Sequence, residues 1–487
     1  MRAAQPKGLT MTTDPPALVW FRRDLRVHDH PALVAALAEH GGVVPVFVLD
    51  EALLRGRFAS ANRTWFLLGS LRALDAALRE RGARLHVRVG DPRSLVPALA
   101  SEAGASAVYV SRDPSPYGRD RDRVVADRLS ETGIAFRPKR GVLIHEPDEV
   151  LTADGTPFTV YSPFRRAWER LERRPIQPAP DAIPSLAEGR LAVGRLPSLG
   201  ALGLGAEPTA DRASLLEPGE VAARERLERW AARPIDDYAT SRDRLDDADG
   251  TSRLSADLHL GTLSANEVAD RAMGPGAGRR TFVNELVWRE FYASVLFHHP
   301  SIRRTEFRPE LASVPWSTDS TAVEAWRAGR TGYPVVDAGM RQLAAMGWMH
   351  NRARMVVASF LTKHLLVDWR VGEAHFMRHL IDGDVASNNG GWQWSASTGT
   401  DPQPYFRIFN PVLQGRRFDP DGDYVRRWLP ELAHVPTPRV HAPWEMRPDE
   451  QQAAACVIGA DYPAPIVDHA EARARALAVY EAARRTS

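Results

Sequence analysis

Cysteine is almost absent. Cys456 is the only thiol in 487 residues, which excludes an internal disulfide and a cysteine-rich metal site. Lysine is nearly as scarce: only Lys7, Lys139 and Lys363 stand among 63 basic residues, so arginine carries the positive charge. Arginine suits phosphate recognition, although general surface usage accounts equally well for most of these positions. No run of 18 apolar residues occurs, which excludes a helical membrane span, and no apolar signal segment opens the chain. A cytoplasmic location is therefore expected. The net charge is only +2, so any affinity for nucleic acid has to come from a local patch. No internal repeat is present. No Gly-x-Gly-x-x-Gly follows the first strand, so dinucleotide binding in the N-terminal half is not supported.

The length calls for two or three domains. Residues 1–14 read as a loose tail. Residues 15–150 alternate short apolar runs with amphipathic segments. Strands are expected at Ala17–Phe21, Val43–Leu49, Arg84–Val89, Ala107–Ser111 and Ile134–Pro138, and helices at Pro31–Glu39, Asn62–Arg81, Pro92–Ala103 and Arg119–Glu131. This rhythm implies a doubly wound, Rossmann-like parallel sheet, in which ligands bind beyond the carboxyl ends of the strands. Two loops stand out there: Phe21-Arg22-Arg23-Asp24-Leu25-Arg26 after the first strand, and Arg112–Asp120 after the fourth. Residues 151–219, rich in proline, glycine and alanine from 172 on, read as a linker wrapped over the surface. Residues 220–487 read as all-helical, with segments at Val221–Ala231, Arg280–Phe297, Val335–Met346, Ala353–Leu366, Glu373–Leu380 and Ala470–Arg485.

Four stretches of this helical half carry residues that a plain core would not use. Tyr238 and Arg242 precede Gly250-Thr251-Ser252-Arg253-Leu254-Ser255, where three hydroxyls and an arginine fall within five residues. That grouping suits a phosphate-bearing cofactor, and equally a helix cap with a solvated arginine. In Asn284–Tyr292, read as a helix, Glu285, Trp288, Arg289 and Tyr292 share one face. An acid, an indole, a cation and a phenol together favour a cavity lining over a core face. In Gly347–Met355 the same spacing groups Trp348, Asn351, Arg352 and Met355. Met355 alone would be ordinary core filling, His350 reads as a hydrogen-bonded structural histidine, and no metal-ligand set is apparent. In residues 381–410, Asp382 and Asp384 flank Gly383, which suits a tight turn. Asn388 and Asn389 precede Gly390 and Gly391, where a backbone or a flat ligand can approach closely. Trp392 and Trp394, two apart, would serve different neighbours if this stretch is helical. So many acids, amides and indoles are costly to bury without polar partners, which makes this stretch the expected functional centre.

Taken together, Trp20–Arg26, Thr251–Ser255, Asn284–Tyr292, Thr331-Gly332-Tyr333-Pro334, Gly347–Met355 and residues 381–410 resemble the DNA photolyase/cryptochrome family, from about residue 15 to 485. Within it the chain is most similar to the microbial (class I) cyclobutane pyrimidine dimer photolyases. The resemblance implies an N-terminal α/β domain and a C-terminal helical domain holding FAD. Tyr238 and Thr251, Ser252, Arg253, Leu254 and Ser255 would hold its phosphate and ribose region. Asp382, Gly383 and Asp384 would border the flavin, with Arg354 paired to Asp382 and Asn388 at the flavin N5. Glu285, Asn351 and Met355 would meet a flipped-out lesion between the aromatic walls Trp288 and Trp394. Arg242, Arg352, Arg407 and Gln414 would contact DNA at the cavity mouth, together with the neighbouring Asn284, Arg289 and Tyr292. Trp392, Trp369 and Trp316 would relay electrons that reduce the flavin. The implied reaction is light-driven: excited reduced FAD lends one electron to the dimer, the cyclobutane ring splits, and the electron returns.

Histidines stand at the positions of Asn351 and Met355 in the (6-4) branch, so that activity is not expected. A cryptochrome-type signalling role is the other alternative. The segment Asp91-Pro92…Pro116–Asp122 resembles the branch with an 8-hydroxy-5-deazaflavin antenna, contacting Asp113 and its neighbours. The folate branch, with methenyltetrahydrofolate, carries a glutamate where Gly118 falls; a folate antenna or an empty site are the alternatives. The implied partner is DNA containing pyrimidine dimers, the protein being a monomer that needs no membrane.

Overall fold

The structure, a computed structural model, describes residues 15–185, 191–205 and 215–485; the expected N-terminal tail lies outside them. Five strands, β1 (Ala17–Phe21), β2 (Val43–Asp50), β3 (His86–Gly90), β4 (Ala107–Ser111) and β5 (Ala135–Lys139), form one parallel sheet in the order β3-β2-β1-β4-β5. β1, β2 and β4 are buried along their whole length. They read as unbroken apolar runs because helices cover both faces of the sheet. Helices α1 (Pro31–Glu39) and α2 (Ala61–Arg79) pack on one face through Leu33, Ala36, Phe66 and Leu71. Helices α3 (Pro92–Glu102) and α4 (Pro116–Glu131) cover the other through Val96, Leu99, Val125 and Leu129. The strand order reverses between β1 and β4, so the loops beginning at Arg22 and Arg112 flank the switch point of the sheet.

The segment expected as a linker runs against the sheet. Ile183 N–H donates to Arg81 O at 2.7 Å, Val43 N–H to Pro184 O at 2.9 Å and Val87 N–H to Val193 O at 2.8 Å. It also contains helix α5 (Tyr161–Trp168), whose Tyr161, Phe164 and Trp168 face inward. The helical half follows with α6 (Glu220–Ala232), α7 (Ala277–His298), α8 (Pro334–Met346), α9 (Asn351–Ser359), α10 (Trp369–His379), α11 (Val385–Ala396) and α12 (His469–Arg485). The helix expected at Ala353–Leu366 stops as a regular helix at Ser359 and continues as a π-type turn, Phe360–His364. There Lys363 is fully buried, donating to Ser397 Oγ at 2.8 Å. Helix α10 starts four residues before its expected beginning because Asp368 caps it, accepting from Arg370 N–H at 2.9 Å.

Helix α11 forms from residues with poor helix propensity, Asn, Gly and Ser. Its contacts explain why. Asp384 caps it by accepting from Ser387 N–H at 3.0 Å. The amides of Asn389 and Gln393 both donate to Ile302 O, at 3.2 and 3.0 Å. Gly390 lets α11 press onto the ring of Tyr292 on α7, where a β-carbon would overlap it.

The two halves are joined by polar bonds that neither could make alone. Arg26, buried, donates to Gly261 O at 3.0 Å and Gly141 O at 2.9 Å. Arg63 on α2 donates to Met377 O at 2.9 Å. Glu290 on α7 accepts from Ile144 N–H, from His145 N–H at 3.1 Å and from Trp168 Nε1–H at 2.7 Å. Glu290→Ala strands these buried donors, each costing about 1–3 kcal/mol. The variant is expected to lose about 3 kcal/mol or more of stability, read from a denaturant melt with tryptophan fluorescence; a loss under about 1 kcal/mol would contradict the role given to Glu290.

Candidate active site

The turn Asp382-Gly383-Asp384 leads into α11 and gathers arginines from both halves of the molecule. From the helical half, Arg354 on α9 pairs with Asp382 at 2.8 Å and donates from Nε to Met349 O at 2.8 Å. From the α/β half, Arg23 pairs with Asp384 at 2.7 Å, faces Asp113 at 3.8 Å and donates from Nε to His259 O at 3.2 Å. Arg63 lies against Gly383: a β-carbon there would sit 2.5 Å from its Nη1. Burial lowers the Arg63 guanidinium to about 10, against the pull of Asp382 and Asp384. Burial alone would raise the Asp384 carboxyl; Arg23, His259 and the Ser387 N–H overcome it and hold the group well below the usual carboxylate range. Burial lowers the His259 imidazole beside Asp384, so the charge of the turn is carried by the arginine–carboxylate pairs.

Several groups here have polar atoms that the protein leaves unused. Asp382 Oδ1 and Arg289 Nη1 are buried without a hydrogen-bond partner among the described residues. Asn388 donates from Nδ2 to Glu373 O at 3.1 Å, which turns its Oδ1 outward as an acceptor. A β-carbon on Gly391 would meet open space. An acceptor, a donor, a fixed amide and an open glycine face fit the edge of a flat heteroaromatic such as a flavin. Beyond them Arg253 adopts a left-handed backbone, φ +53°, and its guanidinium lies 5.0 Å above the Trp348 ring. A cavity of ≈ 230 Å³ opens there, lined by Thr251, Arg253, Trp348 and His350 among others. Ser252 Oγ accepts from Leu254 N–H at 3.4 Å, and Ser255 opens the short helix Ser255–Leu260. Tyr238 is buried edge-on against Trp230 and Phe282.

Helices α5 and α7 supply an aromatic cluster. Trp288 stacks on Tyr161, with centroids 3.8 Å apart and planes 3° off parallel, and Tyr292 lies 5.4 Å from Trp288. The Tyr161 hydroxyl donates to Asn284 O at 3.0 Å, and Tyr161 N–H donates to Asp401 at 3.1 Å. Asn351 is exposed at the start of α9, its Nδ2 3.9 Å from Met355 Sδ one turn on. Glu285 pairs with Arg242 at 2.6 Å, and Arg352 with Asp243 at 2.7 Å. Arg407 is exposed, as are its neighbours Phe406 (60%) and Leu413 (57%); Gln414 Oε1 has no hydrogen-bond partner among the described residues. Trp394 is half-buried, whereas Trp392 on the same helix is buried against Phe376 and Trp326, with centroids at 5.0 and 6.0 Å. Trp369 is fully buried in the same apolar cluster, and Trp316 packs on its edge, partly exposed.

Two placements differ from the sequence reading. Arg289, grouped with the DNA contacts, turns inward and donates to Val142 O at 3.2 Å and Leu258 O at 3.1 Å. Asp113, expected beside an antenna, is buried with its carboxylate turned to Arg23 and to Arg121, at 3.4 Å. Tyr161, Arg23, Arg63 and Trp326 escaped sequence reasoning as site residues. Arg23 alone gave a signal, as part of an arginine-rich loop at a strand end; the other three sit in segments with no unusual pattern.

Comparison with known proteins places these residues in a common frame. The family model described as DNA photolyase matches residues 17–184, and that described as the FAD binding domain of DNA photolyase matches residues 282–482. A deoxyribodipyrimidine photo-lyase of Streptomyces griseus is 43% identical over 469 residues, covering 94% of this chain and 98% of that protein. A bacterial class III photolyase from Agrobacterium tumefaciens superposes with a TM-score of 0.91 at 38% identity, covering 98% of this chain and 99% of that one. A Synechocystis cryptochrome superposes with a TM-score of 0.87 at 31% identity, covering 96% and 99%.

The seating of Trp392 depends on Gly372, since a β-carbon there would overlap the indole. Gly372→Ala is expected to destabilise the protein by about 1–3 kcal/mol through overpacking and to shift the near-ultraviolet circular dichroism of the buried tryptophans. A thermal melt and spectrum unchanged from wild type would contradict the packing described.

Proposed function

The chain belongs to the DNA photolyase family and is a light-driven lyase of cyclobutane pyrimidine dimers in DNA, and we propose how its residues divide that work among cofactor, lesion and DNA backbone. When bound, reduced FAD would supply the photoexcited electron that splits the dimer and is returned afterwards. Asp382, Asp384, Arg354 and Asn388 would hold its isoalloxazine end, Asn388 offering its amide oxygen as an acceptor. Arg289 Nη1 and Asp382 Oδ1, both buried and unused, belong with this set. Tyr238 and Thr251–Ser255 take the phosphate and ribose end. The neutral amide of Asn388 would add no repulsion to an anionic reduced cofactor.

A dimer reaches this pocket only by leaving the duplex stack. Trp288 receives it on an aromatic face whose plane Tyr161 fixes from behind. Glu285, Asn351 and Met355 supply polar and soft contacts along the rim, and Glu285 stabilises charge that develops on the lesion. Arg242, Arg352, Arg407 and Gln414 bind the DNA backbone, giving salt-dependent and largely sequence-independent affinity. Trp392, Trp369 and Trp316 form the reduction relay, an order supported by burial that falls from the first two to the third.

We assign the chain to the class I enzymes with an 8-hydroxy-5-deazaflavin antenna. The support is Gly118, which presses on Asp113 without room for a side chain, and the Asp91-Pro92…Pro116–Asp122 segment. The close superposition on the Agrobacterium enzyme favours a second reading, class III. Mass spectrometry of the small molecules released on denaturation tests the antenna: a deazaflavin supports the first assignment, and a folate, or FAD alone, overturns it.

The function rests on the unused buried polar atoms of Asp382 and Arg289, the Trp288–Tyr161 stack and the ion-paired arginines Arg242 and Arg352. The purified protein is expected to bind a thymine-dimer oligonucleotide in the dark far more tightly than the undamaged strand, and to restore it under blue light. Equal affinity for both, without repair, would refute this reading. Trp392→Phe is expected to lose light-driven reduction of FAD yet repair normally after chemical reduction. Equal loss of both would remove it from the relay.

A further inference from the structure

Two of the residues assigned above to different tasks are bonded to each other here. Glu285, assigned to the lesion, and Arg242, assigned to the DNA backbone, form an ion pair at 2.6 Å. The pair continues along the mouth of the pocket. Arg242 Nε lies 3.9 Å from Asp243, and Asp243 accepts from Arg352, the next DNA-facing arginine, at 2.7 Å. Two acids and two bases alternate, so this run of four is neutral as it stands. Neither arginine can give its full charge to a phosphate without leaving a carboxylate of this chain behind.

The surroundings of Glu285 offer little else to hold its negative charge. Among the described residues Arg242 is its one close cation. The acids and phenols that face it are Asp243 and Tyr238 from the segment around Arg242, Tyr161 from α5 and Tyr292 from its own helix. Arg165 and Glu169 act on Tyr161 from behind, and Arg352 is engaged by Asp243. About a third of the Glu285 side chain (32%) is exposed. Burial already raises the Glu285 carboxyl, and Arg242 is the group that holds it down.

We infer that the Arg242–Glu285 ion pair is a latch: Arg242 leaves Glu285 for a DNA phosphate when the lesion enters, and the freed Glu285 takes up a proton from solvent, becoming a hydrogen-bond donor to a carbonyl of the dimer. This rests on the photolyase reading of the pocket. A carboxylate left charged would face both the incoming phosphate and an apolar wall without its partner. Protonation removes both penalties and converts an acceptor-only group into a donor. The direction of the pH dependence comes from linkage. The complex binds one more proton than its separate components, so affinity for the lesion is highest at low pH. It falls as pH rises through the window between the carboxyl's value in the free protein and its higher value in the complex. That window lies above the ordinary carboxylate range.

The test is calorimetry in the dark, titrating FAD-loaded protein with a thymine-dimer oligonucleotide in two buffers of unlike ionisation heat. Uptake approaching one proton per complex is expected, with Kd weakening by up to about tenfold per pH unit within the window. Glu285→Gln, its FAD absorption confirming that it is folded and loaded, is expected to bind without proton uptake and with a pH-independent Kd. The undamaged oligonucleotide, which sends no base into the pocket, is expected to bind without uptake. No uptake by wild type, uptake unchanged in Glu285→Gln, or equal uptake with undamaged DNA would each overturn the latch. Preference for the dimer without uptake sinks the latch alone, whereas loss of that preference sinks the photolyase reading beneath it.

Discussion

The turn Asp382-Gly383-Asp384 is where the two halves of the molecule become one site. Its carboxylates are held by Arg354 from the helical half and Arg23 from the α/β half, with Arg63 pressed against the intervening glycine. Desolvation works against charged groups in such a place. Pairing and backbone hydrogen bonds answer it, most completely at Asp384, which is also the cap of α11. That helix carries Asn388 and Trp392. The placement of Asn388, assigned to the cofactor, and of Trp392, assigned to the relay, therefore both descend from one acid turn.

The lesion side is built by a different principle. Trp288 owes its orientation to Tyr161, which arrives from a segment preceding the helical half and is itself tied to Asn284 and Asp401. The wall is rigid because stacked rings lose little entropy when covered. Beside it runs a chain of ion pairs, Glu285–Arg242 and Asp243–Arg352. Stacked rings next to paired charges suit the proposed ligand, whose base would enter while its backbone stays outside. Restored charge pairing after repair would help the product leave.

Much of this was legible in the sequence, and the exceptions have physical causes. The sheet could be read strand by strand because strands buried on both faces appear as unbroken apolar runs. On α7 and α9 helical spacing grouped the acid, amide and aromatic side chains on one face, and only the family resemblance gave them roles. Helix α11 could not be read that way: its Asn, Gly and Ser residues oppose helix formation, and only contacts with α7, Ile302 and Glu373 impose it. Arg289 was grouped with its outward neighbours by spacing, yet its long side chain turns back to carbonyls of two distant segments. Tyr161 lay in a stretch whose composition suggested a linker. The partner of Arg23 lies 361 residues away, a separation no local pattern reveals.

A charge lock between the two halves, Arg23 on Asp384, holds the start of the helix that carries Asn388 and Trp392. The decisive measurement is the rate at which FAD leaves Arg23→Gln, followed by the rise of free-flavin fluorescence. Arg23 lies far outside the residues matched by the FAD-binding family model. Losing a charge-assisted hydrogen bond of about 2 kcal/mol predicts release roughly thirtyfold faster than wild type, with Arg23→Lys falling in between. Release at the wild-type rate from Arg23→Gln would contradict the account.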